Sequence, residues 1–187
     1  MTDPALPASQ PGMVTGLFNS RDGAECAYRF AIELGGYERT DIDVVMSDET
    51  RQRFFSSEPQ PDTELSGKVN EPTTGSTKLA DELGGPTGGA VGTIAPVLAA
   101  VGTLVLIPGI AVAGPIAVAL AAAGAVGLAG GLIGALTNWG IPEDRIHQYE
   151  MGIRDGGILL GVRPRSPGDA RELERRWKLC GGELVHS

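Results

Sequence analysis

A mixed α+β fold is what this sequence predicts, and three observations predict it. Each end of the chain alternates short β-branched runs with an amphipathic helical run. Between the ends, from Leu83 to Pro142, no residue is charged. Glycine and proline punctuate the joints where the hydrophobic period changes. A chain of 187 residues suits one ordinary domain, or a small domain carrying an insertion.

Residues 1–12 hold three prolines and no apolar period, and are expected to be a flexible tail. Met13 to Phe18 reads as a first strand. Asp22 and Glu25 have the spacing of a capping box, in which two side chains satisfy free N–H groups at a helix start. Ala24, Ala27, Tyr28, Ala31 and Gly35 then share one helical face, and Gly35-Gly36 supplies the stop. Asp41 to Ser47 predicts a second strand, which completes the first half of the domain over 13–47. Residues 48–83 dissolve into Ser, Thr, Pro, Glu and Gly and read as a polar linker. Within it, Thr50 to Phe55 is expected to make one helical turn with Phe54-Phe55 against the domain, and Thr77 to Leu83 a short polar helix.

The pattern returns over 141–187. Pro142 followed by Glu143 and Asp144 suits a helix start, because proline presets φ and acids favour the positive end of the helix dipole. Ile146, Tyr149 and Ile153 form that helix's apolar face. Ile158 to Val162 is a continuous apolar run, as in a central strand buried on both faces. Ser166-Pro167-Gly168-Asp169 caps a further helix with Ala170, Leu173, Trp177 and Cys180 on one side. Glu183 to His186 is the last strand. With 48–155 left out, the order is strand, helix, strand, strand, helix, strand. This is the ferredoxin-like split β-α-β arrangement, interrupted by an inserted Gly/Ala-rich helical hairpin over 84–140.

Inside the insertion, Pro108-Gly109 and Gly114-Pro115 predict the hairpin turn between helices at about 88–107 and 115–137. Gly88, Gly92, Ala95, Ala99 and Gly102 line one side of the first helix. In the second, Ala117, Ala121 and Ala125 recur every four positions, as do Gly127 with Gly131 and Gly130 with Gly134. Small residues at this spacing let two backbones approach closely, so these positions are expected to carry helix packing and self-association. Neither helix has a polar face to show to water, so the hairpin must be buried in lipid or in protein. Each segment has about the length of a bilayer span, and Trp139 sits where an interfacial anchor would. The lipid bilayer is therefore the preferred partner, at the cytoplasmic face of an inner membrane. A soluble homo-oligomer with a dry core of hairpins is the rival.

Composition narrows the rest. Residues 1–82 hold 15 acids and 7 bases, whereas 143–187 hold 8 of each. An acidic chain argues against nucleic acid as a partner, since phosphate binding rests on Lys and Arg. Arg163, Arg165, Arg171, Arg175, Arg176 and Lys178 cluster, but four of them interleave with Asp169, Glu172 and Glu174 as on a solvated helix face. Cys26 and Cys180 lie far apart in sequence and are expected to be buried free thiols in a reducing compartment. The start of the chain lacks a secretory pattern, which adds to the cytoplasmic expectation. His147 and His186 are too isolated for a metal site. No phosphate-binding glycine loop stands in the right context. Asp41 and Asp43 share a strand face as a conceivable acid pair, but solvated edge carboxylates are the expectation. No enzyme, no cofactor and no metal are expected.

The chain resembles the bacterial general stress protein family, whose members carry a glycine-zipper insert. The features that carry this are Val14-Thr15-Gly16-Leu17-Phe18, Ile107-Pro108-Gly109 with Ala113-Gly114-Pro115, and Gly130-Gly131-Leu132-Ile133-Gly134-Ala135-Leu136. Gly140-Ile141-Pro142-Glu143-Asp144 and Gly156-Gly157-Ile158-Leu159 add to them. The resemblance implies a stress-response role with membrane association, and no catalytic residues. The expected function is a non-enzymatic protein whose hairpin enters the membrane and self-associates. The alternatives are a soluble assembly built on hairpin packing and a ferredoxin-like module binding a small ligand.

Overall fold

Short runs of Val, Ile and Leu from the two ends of the chain meet side by side in one sheet. The computed structural model describes residues 12–55, 63–70, 104–107, 109–117, 136–137 and 141–187. In chain order the elements are β1 (Val14–Phe18), α1 (Arg21–Glu33), β2 (Ile42–Ser47), α2 (Asp48–Phe55), α3 (Glu64–Asn70), β3 (Leu104–Ile107), β4 (Ile110–Ala113), α4 (Glu143–Arg154), β5 (Ile158–Val162), α5 (Pro167–Leu179) and β6 (Glu183–His186). The fold class is α+β. Its six-stranded sheet runs β3-β4-β2-β5-β1-β6, with every neighbouring pair antiparallel. Wholly apolar β5 lies between β1 and β2, and all five of its residues are buried.

Period-two alternation gives the sheet two inner faces. On the first, Val14, Phe18, Ile42, Val44, Met46, Ile158, Leu160 and Val162 join one core with Ala24, Ala27, Tyr28 and Ala31 of α1 and Ala170, Leu173 and Trp177 of α5. Trp177 donates its indole N–H to Ala27 O at 3.1 Å and meets the Phe18 ring edge-on at 5.9 Å. On the second face, Leu17, Val45, Ile110, Val112 and Leu159 pack with Ile146, Tyr149 and Ile153 of α4 and with Ile116, Leu136 and Ile141.

Local chemistry explains the helix ends, with one correction. Ser166 caps α5 by accepting Asp169 N–H at 3.1 Å, and Pro167 opens the helix. The cap of α1 is Ser20, which accepts Gly23 N–H at 3.2 Å, and not Asp22. Asp22 lies in the first turn, while Glu25 pairs with Arg21 at 2.6 Å instead of closing a capping box.

Larger corrections concern the middle of the chain. The helical turn expected over 50–55 is helix α2, with Phe55 in the first core and Phe54 against it as expected, whereas α3 puts a helix where polar linker was expected and adds Leu65 and Val69 to that core. Two apolar residues among polar ones are enough for a helix that lies along the edge of a core. Residues 104–107, expected to end an apolar helix, form β3, and 110–113, expected to be loop, form β4. Their β-branched residues suit a pleated surface, and pairing Val44 through Ser47 with β4 satisfies an edge of β2 that would otherwise be open. Of the second expected helix, residues 115–117 and 136–137 are helical, and Ile116 and Leu136 line one small void. The remainder of the two expected helices, and Thr77 to Leu83, lie outside the described residues. Cys26 and Cys180, expected as free thiols, form a disulfide across α1 and the end of α5, with Cα atoms 5.8 Å apart. Helix packing brings together two residues that sequence separation had kept apart, and the argument for a reducing compartment goes with the free thiols.

Candidate functional site

Antiparallel pairing gathers three chain ends at one end of the sheet. The start of β2 lies beside the end of β5, since Ile42 pairs with Val162, and beside the end of β4, since Val44 pairs with Ala113. The segment before β2 brings Tyr37 and Asp41, the segment after β5 brings Arg163, Pro164 and Arg165, and the segment after β4 brings Pro115. With Met13 and Asp43 these residues line a cleft of about 490 Å³, a size that takes a small organic ligand.

Asp43 is the polar group at the bottom of this cleft. It belongs to an interior strand and is 4% exposed, so the expected solvated edge carboxylate is corrected to a buried one. Asp41 does not share its strand face. It sits in the preceding 3-10 turn, Arg39–Asp41, and its exposed carboxylate reaches Arg165 at 3.7 Å. Asp43 Oδ1 accepts the Ile116 N–H at 2.6 Å. Burial pushes the Asp43 carboxyl up to about 7 from its ordinary 3.8, against the opposing pull of that N–H and of the Lys68 and Arg163 charges. Opposite Asp43 in the register is Gly161. A Cβ there would stand 2.3 Å from Met13 Cε, so glycine leaves room for Met13 to form one wall.

The two arginines differ. Arg165 is held: it donates to Gly36 O at 2.6 Å and lies over the Tyr37 ring at 4.5 Å. Its backbone N–H donates to Tyr37 Oη at 3.3 Å, and that hydroxyl donates to Asp169 at 3.4 Å. Arg163 is exposed and makes no hydrogen bond or ion pair among the described residues. It nevertheless feels Asp43 electrostatically. The other basic residues behave as a solvated helix face: Glu172 meets Arg175 at 2.7 Å and Arg176 at 2.9 Å, and Glu174 meets Lys178 at 2.6 Å.

Of the residues singled out for packing, Ala117 is buried against the second sheet face. Gly88, Gly92, Ala95, Ala99, Gly102, Ala121, Ala125, Gly127, Gly130, Gly131 and Gly134 lie outside the described residues, as do Pro108 and Trp139. Gly109 is exposed in the tight connection between β3 and β4, with φ +86°, so the turn it makes joins strands instead of helices. Gly114, with φ +108°, is buried against Ile42 O and Asp43, and Pro115 is exposed at the cleft.

Tyr37, Arg163 and Arg165 escaped sequence reasoning as a site because nothing in their spacing links them; strand pairing does. Asp43 did leave a signal, an acid on the otherwise apolar strand Ile42–Met46. Among the described residues no helix is long and apolar enough to cross a membrane. No family model, curated protein or solved structure matches this chain.

Proposed function

We propose that this chain is a non-enzymatic, self-associating protein in which an α+β domain carries a charge-free stretch that packs against a second copy. The domain is read as a ferredoxin-like split β-α-β unit. In support, β2, β5, β1 and β6 are neighbours in that order, and α1 and α5 lie together on one face. A stress-response setting is proposed on the resemblance to the bacterial general stress proteins.

One observation carries the preference for a second copy over a bilayer. Sixty consecutive uncharged residues need a dry partner, yet the points where this stretch meets the described chain all belong to the domain. β3 and β4 extend its sheet, and Ile116 and Leu136 sit at one void beneath it. A hairpin spanning a bilayer twice would carry its turn to the far side of about 30 Å of hydrocarbon. Here that turn is tied to β2.

Light scattering on the full-length protein without detergent tests the proposal. A dimer or larger species is expected, and Gly127→Leu with Gly131→Leu is expected to reduce its size. A monomer that stays dispersed without detergent would overturn self-association. Material that aggregates alone but floats with lipid vesicles would transfer the apolar stretch from a second copy to the bilayer.

A further inference from the structure

We infer that the cleft between Arg163 and Asp43 binds a small zwitterion of the amino-acid class, its carboxylate on the Arg163 guanidinium and its ammonium on the Asp43 carboxylate. Two acids and two arginines line one cavity of about 490 Å³: Arg165 pairs with Asp41 at 3.7 Å, whereas Arg163 and Asp43 form no ion pair with each other. Each keeps unused capacity. Arg163 offers a planar fork with no partner among the described residues, the geometry that suits a carboxylate. Asp43 uses Oδ1 on Ile116 N–H, while Oδ2 has no hydrogen-bond partner among the described residues although the side chain is more than nine-tenths buried.

Oδ2 is not among the fully buried unpartnered oxygens, so it stays open toward the cleft, while burial still costs the ionised carboxyl part of its hydration. An ammonium arriving in the cleft restores that interaction and favours the ionised form. A carboxylate alone would gain Arg163 but would face Asp43 as a like charge. An amine alone would gain Asp43 but would face Arg163. Only a ligand carrying both groups satisfies both ends. Met13, Pro115 and Pro164 supply an apolar wall for a hydrocarbon side chain, which makes leucine a suitable probe. Neighbouring Arg165 and Asp41 are occupied with each other and with Gly36 and Tyr37, so they shape the cleft without competing for the ligand. This inference is distinct from self-association: of the residues it uses, only Pro115 at the wall and the backbone N–H of Ile116 belong to the stretch proposed to pack between copies.

Calorimetric titration of the full-length protein with three matched probes decides it: L-leucine, 4-methylpentanoate (the same molecule without the amine) and isoamylamine (without the carboxylate). Leucine is expected to bind at least about tenfold more tightly than either, the worth of one charge-assisted hydrogen bond. Arg163→Ala, a change at an exposed position, is expected to weaken leucine about tenfold or more. Asp43→Asn, which keeps an oxygen for Ile116 N–H, is expected to erase the advantage of leucine over 4-methylpentanoate. Equal binding of leucine and 4-methylpentanoate to the unmodified protein would overturn the inference. So would leucine binding that Arg163→Ala leaves unchanged, or no binding of any probe at millimolar concentration. Should Asp43→Asn fail to fold by circular dichroism, the three probes on the unmodified protein still decide.

Discussion

The same strands present different chemistry to the two sides of the sheet. Toward α1 and α5 they offer Val14, Phe18, Ile42, Val44, Leu160 and Val162, all apolar, under long amphipathic helices joined by a disulfide. Toward α4 they offer Leu17, Val45 and Leu159, but also Thr15 and Asp43, both buried. Thr15 is satisfied by the Tyr149 hydroxyl at 2.7 Å, which also donates to Leu184 O at 3.0 Å. Among the described residues, the cover on this second side is α4 together with residues near 116, 136 and 141. A face that buries only apolar side chains holds the domain together, whereas the face that also buries Thr15 and Asp43 gives the cleft a polar group at its lining.

Removing a ring from the first face should cost the most. Trp177→Ala deletes the largest fully buried side chain and its hydrogen bond to Ala27, and about 3–5 kcal/mol of stability is expected to be lost in urea unfolding. A loss below about 1 kcal/mol would mean that this face is not the stabilising one. Reduction of Cys26–Cys180, which closes a separation of 154 positions, should cost about 2–4 kcal/mol. Urea midpoints with and without reductant measure it, and coincident midpoints would contradict the bridge.

On the second face the effects are smaller. Gly114→Ala places a Cβ 2.5 Å from Ile42 O at φ +108°, and about 2 kcal/mol of destabilisation is expected. Gly109→Ala has φ +86° but open space around it, so about 1 kcal/mol from backbone strain alone is expected. Equal effects would remove the close packing argued for Gly114. Asp43 predicts a pH slope. With its folded value near 7 against an ordinary 3.8, the folded chain keeps a proton between those values that the unfolded chain releases. Its contribution to stability therefore falls as pH rises through that window, by up to about 1.4 kcal/mol per pH unit, and is lowest above it. The difference between the protein and Asp43→Asn, measured by urea unfolding at about pH 5 and about pH 8, should carry that slope. A flat difference would return Asp43 to solvent.

Legibility in the sequence followed distance along the chain. The helical faces of α1, α4 and α5, the cap at Ser166 and the burial of β5 all rest on neighbours within a few residues, and the periodicity displays them. The cap at Ser20 was masked by Asp22 and Glu25, whose spacing imitates a capping box. The run Leu104–Ile107 was ambiguous because short apolar segments carry no period that separates strand from helix, and its uncharged surroundings favoured helix, while Ile110–Ala113 between Pro108-Gly109 and Gly114-Pro115 read as a loop.

By itself the sequence determined an α+β chain with a charge-free middle, since hydrophobic spacing and turn residues act locally and can be read locally. Only the tertiary structure decided that β4 would pair with β2, that Cys26 would meet Cys180, and that Asp43 would be buried facing the same cleft as Arg163. Each of these joins residues distant in the chain. Their free energy comes from edges, thiols and charges that acquire partners only once the sheet has formed, and no local pattern encodes which partner that will be.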